Sequence, residues 1–119
     1  MRKQNPGARA EHALRWIGVD RRQAAREIGV SLSLIAMNFA GASALRDVTA
    51  LALQARFGVN ARWILHGESP VFLRPKGLEH LSDEAMAAAL ACERMTPSAR
   101  KAFVQMMRAV SLQADESRT

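Results

Sequence analysis

The side chains of this chain that could do chemistry are arginines, and the chemistry they suit is the capture of phosphate. Arg21 and Arg22 open the segment RRQAAREI, and Arg26 follows about one helical turn later. The free amides and dipole at the start of a helix already favour an anion, so guanidinium groups there are well placed for phosphate. Other chemistries find little support. His12, His66 and His80 are scattered, and no His/Cys/Asp/Glu group has metal-ligand spacing, so neither a metal nor a cofactor is expected. Glu79, Asp83, Glu84 and Glu93 are spaced like solvated helix acids rather than paired catalytic carboxylates. No phosphate-binding glycine loop and no Ser-His-Asp set is present, and an enzyme is not expected. The single cysteine, Cys92, lies among alanines, which suits a small packed residue in a reducing cytoplasm.

The arginines need helices to position them. Asp20 can accept from the first amides of a helix over Arg21–Ile28, and Gln23 completes a capping-box pattern. Gly29 falls where a left-handed residue ends that helix. Ser31 can cap the next, Leu32–Phe39. Two helices joined by a glycine corner make a helix-turn-helix, whose second helix can enter a DNA major groove. Before it, Ala10, Ala13, Leu14 and Ile17 give a first helix from about Ala8, after a start marked as flexible by Pro6 and Gly7. After it, Ser43 as cap and Gly58 as stop bound a fourth helix, and Asn60 and Gly67 bound a short fifth. Residues 71–81 read as a linker with an apolar point at Val71, Phe72 and Leu73.

Ser82 and Thr96-Pro97 then start two more helices, and residues 114–119 are expected to fray. The pair over 82–113 carries Phe103, Met106, Met107 and Val110 at three- and four-residue spacing, an apolar stripe that predicts a dimer. No strand pattern appears. The fold class predicted is all-α, with residues 1–70 as one domain.

Charge is distributed unevenly. The net charge is +6, but residues 1–76 hold 12 Lys/Arg against 5 Asp/Glu, while residues 77–119 hold 5 against 6. The excess of positive charge lies with the predicted helix-turn-helix, as counterion release on binding a polyanion requires. No run of about 18 apolar residues exists to span a membrane, and no apolar run follows the basic start, so no signal peptide is expected.

From about Ala8 to Phe72 the sequence resembles the lambda-type phage repressor and Cro class of helix-turn-helix regulators. QAAREIGVS, FAGASAL and FGVNARWILHGESPVF carry the resemblance, the last with Val59, Asn60, Trp63, Ile64, Leu65, Gly67, Glu68 and Pro70. It implies a five-helix DNA-binding domain, here followed by a two-helix extension, in a cytoplasmic, nucleoid-associated repressor acting as a homodimer on an inverted-repeat operator in double-stranded DNA. By the same resemblance Ser31, Leu32, Ser33, Ala36, Met37 and Ala40 fall where base edges are reached, and Ser43 and Arg46 where flanking phosphates are held. Arg2, Lys3 and Arg9 would form a basic arm. Trp63 would plug the base of the bundle, and Trp16 would be a core or interface residue.

Two features depart from that pattern. Asn38 stands where an apolar residue is usual, so either it meets backbone partners or the helix rotates and Phe39 takes the core role. The outward face of Leu32–Phe39 carries no charge, whereas direct readout relies on Arg, Lys, Asn or Gln. Leu32 and Met37 could meet thymine methyls, leaving specificity partly to DNA shape. The competing expectation is a helix-turn-helix derivative that binds protein, an antirepressor, antitoxin-like partner or adaptor, through this apolar helix or the C-terminal helices.

Overall fold

A computed structural model describes residues 5–118, with side chains through Gln113. Its described residues form seven α-helices: α1 (Pro6–Trp16), α2 (Arg21–Ile28), α3 (Leu32–Ala40), α4 (Asp47–Phe57), α5 (Ala61–His66), α6 (Asp83–Glu93) and α7 (Pro97–Arg118). The chain is therefore all-helical, as its periodicity predicts; among the described residues the only β-type pairing is one isolated bridge between Val59 and Phe72. None of these helices is long and apolar enough to cross a membrane.

Local capping chemistry sets most of the boundaries. Side-chain oxygens of Asn5, Asp20, Ser31, Asn60 and Ser82 accept from amides of the helices that follow them. The fourth helix differs from expectation. Arg46 occupies its N-cap without a side-chain bond, because Ser43 is drawn instead toward Asn38, whose Nδ2 donates to its Oγ at 2.8 Å. The first helix begins earlier than predicted. Pro6 is its first residue and Gly7 is buried, with Asn38 O only 1.7 Å from where a Cβ on Gly7 would stand. Gly7 is thus the point at which α1 touches α3, and it is no flexible lead-in.

The core joins α1 through α6. Leu14 of α1, Ile35 of α3, Leu53 of α4, Ile64 of α5, and Ile17, Val59 and Phe72 outside the helices are its fully buried large residues. Asn38 and Phe39 are both buried: Phe39 is a core residue as the second alternative has it, while the Asn38 amide, also inside, donates to the Ser43 hydroxyl rather than to the backbone partners the first alternative expects. Trp63 is half-buried against this core. Trp16, 38% exposed, packs its ring 5.5 Å from Phe72.

The segment expected to be a linker after residue 70 is part of the folded unit. Asn60 N donates to Val71 O at 2.8 Å and Leu73 N to Gly58 O at 2.9 Å, which seats Phe72 in the core. The Asp83 carboxylate at the head of α6 accepts from the amides of Val71 and Phe72 and pairs with Arg74 at 2.7 Å. Burial pushes that carboxyl up, yet these bonds outweigh it and hold Asp83 below the usual aspartate range. At the other end of α6, Arg94 pairs with Glu27 of α2 and lies over the Phe57 ring, 5.0 Å from its centroid. Met86 and Ala87 between them are buried.

α7 departs from this unit. Thr96 Oγ1 accepts from Ala99 N, and the Arg100 guanidinium donates to the Cys92, Glu93 and Met95 carbonyls, fixing the α6–α7 corner. Beyond it Val104, Met106, Met107, Val110 and Leu112 are exposed, and Phe103 is half-buried. The helix continues to Arg118 rather than stopping near Leu112. The result is an elongated body of 54 × 31 × 30 Å whose radius of gyration, 16.5 Å, exceeds the about 13–14 Å of a compact chain this long.

Candidate nucleic-acid interface

The α2–α3 corner is built as its residues dictate. Asp20 Oδ1 accepts from Gln23 N at 2.8 Å to start α2. Gly29 ends it at φ 77°, a left-handed conformation that costs a β-carbon-bearing residue strain. Val30 N returns to Ala25 O at 3.0 Å, and Ser31 Oγ accepts from Leu34 N to start α3. Ile35, Asn38 and Phe39 turn inward. By helical period the opposite face must then look outward, and Ser31, Leu32, Ser33 and Met37 are all exposed, with Ala36 half-buried.

Two concave surfaces flank that outward face. One, of about 470 Å³, runs between the end of α1 and the starts of α2 and α3, with Arg15, Arg21, Arg22 and Leu32 on its walls. The other, of about 400 Å³, lies between α3 and α4 and is walled by Leu34, Asn38, Ser43, Arg46 and Thr49. α3 is therefore a ridge between two arginine-bearing grooves, a shape that can enter a groove of a polyanion while its flanks meet the rims.

The arginines are not equivalent. Arg22, Arg26 and Arg46 are exposed and in no ion pair among the described residues. Arg21 is engaged: its Nε and Nη2 donate to the two oxygens of Glu11 on α1, and this bond holds the Glu11 carboxyl below its ordinary value despite partial burial. A phosphate must share or displace that carboxylate. Arg26 lines neither groove. Ser43 retains its hydroxyl hydrogen as a possible donor, since its oxygen is the acceptor for Asn38.

Arg9, expected in a basic arm, is instead an internal tie. Its guanidinium donates to Ile64 O at 2.9 Å and Leu65 O at 3.1 Å, closing the end of α5 onto α1. Arg2 and Lys3 lie outside the described residues. Conversely Arg15, Leu34 and Thr49 enter the grooves without having been singled out from the sequence. Arg15 left no local signal, because only tertiary packing brings the end of α1 beside α3.

Among the described residues no cluster of His, Cys, Asp and Glu is arranged to hold a metal ion. No family model, curated protein or solved structure matches the chain.

Proposed function

We propose that this chain is a small transcriptional regulator of the lambda-repressor type, whose α1–α5 unit binds duplex DNA by inserting α3 into the major groove and which acts as a homodimer on an inverted repeat. The observation that carries this reading is the exposed α3 ridge between two arginine-bearing grooves. Arg22 and Arg46, with Ser43 and Arg15, are then the phosphate contacts. Ser31, Ser33, Leu32 and Met37 face the bases. The net charge of +6 supplies the attraction and counterion release that such binding uses.

A salt titration tests it. On a DNA sequence selected from a random pool, affinity should fall log-linearly with salt. Arg22→Ala should weaken every sequence alike and reduce the slope by about one, while Ser33→Ala should relax preference at one position. A protein that ignores DNA in dilute buffer would end the proposal.

One observation favours a second reading, a helix-turn-helix derivative that docks on protein. Leu32, Leu34 and Met37 of α3 and Val48 and Leu51 of α4 are all more than 40% exposed. Apolar docking through this surface would be nearly insensitive to salt, which separates the two readings in one experiment.

A further inference from the structure

Glu11 of α1 gives both carboxylate oxygens to Arg21 at the start of α2. They take Nε and Nη2, the side edge of the guanidinium, with the Nη2 bond at 3.1 Å. A guanidinium is a planar fork of five N–H donors, so its end edge, with one hydrogen each from Nη1 and Nη2, is left over. Among the described residues no acceptor meets Nη1. Arg21 stands on the wall of the groove of about 470 Å³, 40% exposed, with Arg15 and Arg22 on the same walls. The second carboxylate there is committed elsewhere, since Asp20 caps α2 through the Gln23 amide.

By charge alone an acid is a liability in a groove that takes phosphate, and two arrangements are open. A phosphate displaces Glu11 from Arg21, or both bind the guanidinium at once. Burial decides between them. The Glu11 side chain is only 17% exposed, and its next cation, the exposed Arg15, lies 3.5 Å away. Taking Arg21 away would leave a mostly buried carboxylate to that looser partner, which costs more than an ordinary lost hydrogen bond. Binding by the end edge breaks nothing. It also finds an arginine already ordered, whereas a free side chain of this length loses rotamer freedom when it grips a phosphate.

We propose that Glu11 is a positioning residue for DNA: it holds the side edge of Arg21 so that the end edge bonds a backbone phosphate while the ion pair stays closed. Arg21 is then a phosphate contact on the α1 side of α3, beside Arg15 and Arg22, and Arg46 is its counterpart on the α4 side. The acid strengthens binding although its charge opposes the ligand, because it acts through the arginine it orders. This inference rests on the proposed DNA reading and assigns a role to a residue that reading does not use.

A double-mutant cycle on the full chain tests it, with affinity for the selected DNA read by fluorescence anisotropy. Arg21→Ala should weaken every sequence about tenfold and reduce the salt slope by about one. Glu11→Gln should tighten binding about twofold in the Arg21→Ala background, where only repulsion is left, and weaken it about threefold when Arg21 is present. An effect of Glu11→Gln that is equal in both backgrounds, or more favourable with Arg21 present, would mean that a phosphate displaces the carboxylate or never meets Arg21, and would overturn the inference. Arg21→Lys keeps the charge but has no second edge. It should lose about threefold or more, and wild-type affinity would overturn the inference too. All variants are compared at a temperature where circular dichroism shows them folded, so the contribution of the ion pair to stability does not enter. A wild type that ignores DNA ends both the DNA reading and this inference, whereas salt-dependent binding with the wrong sign of coupling ends this inference alone.

Discussion

α6 and α7 are neighbours in sequence, both helical and both rich in apolar residues, and they end in opposite environments. α6 is bolted to the body at both ends, by Asp83 to Arg74 and the 71–72 amides and by Arg94 to Glu27 and Phe57, and its Met86 and Ala87 are buried. α7 has a corner tie through Arg100 and then a row of exposed Val, Met and Leu side chains. The difference lies in polar anchors. A helix stays on a core when charged groups at its ends find fixed partners there, and apolar content alone does not say which core it will use.

The largest effect that would sharpen this contrast is at Phe72, which joins the segment before α6 to the core. Phe72→Ala should cost about 3–5 kcal/mol in urea unfolding, because the cavity it leaves is lined by packed side chains. A loss below about 1 kcal/mol would show that residues 71–81 are a linker after all, and that α6 is no part of the unit.

A smaller effect, dependent on pH, should come from the α6 anchor. Asp83 is held below the ordinary aspartate value, with burial opposing and the Arg74, Val71 and Phe72 bonds prevailing. A carboxyl whose folded pKa is lowered stabilises the protein above its unfolded value, about 3.9, and that stabilisation is lost as pH falls through the folded value. Asp83→Asn should therefore cost about 1–3 kcal/mol at pH 7 and progressively less as the pH is brought down through the folded value. An equal cost across that range would mean that the ionised form does not hold α6.

The smallest effect belongs to α7. At protein concentrations low enough to keep the chain monomeric, Met106→Ser should change unfolding free energy by no more than about 0.5 kcal/mol, since the side chain is 58% exposed. A loss above 1 kcal/mol would place α7 against its own chain and erase the distinction between the two helices.

Much of this architecture was legible from residue types. Caps at Asp20, Ser31, Asn60 and Ser82 and the left-handed glycine at 29 act within a few residues of themselves, so helix identities and most limits followed from the sequence. Ser43 misled because its hydroxyl had two local uses, capping α4 or satisfying Asn38, and burial of the amide decided for the second. Gly7 misled because glycine signals flexibility and close approach alike, and only the position of α3 distinguishes them.

The candidate interface divides in the same way. Arg22 and the exposed positions of α3 follow from helical period once the inward face is known. The engagement of Arg21 by Glu11, the use of Arg9 to close α5 and the arrival of Arg15 beside Leu32 follow from no local pattern, since each pairs residues that only packing brings together. By itself the sequence determined where helices begin and end, which faces are apolar and where positive charge concentrates, because these are short-range properties of composition and spacing. The tertiary structure alone decided which apolar face was covered and which arginines were drawn into ion pairs, because burial and ion pairing depend on neighbours distant in the chain.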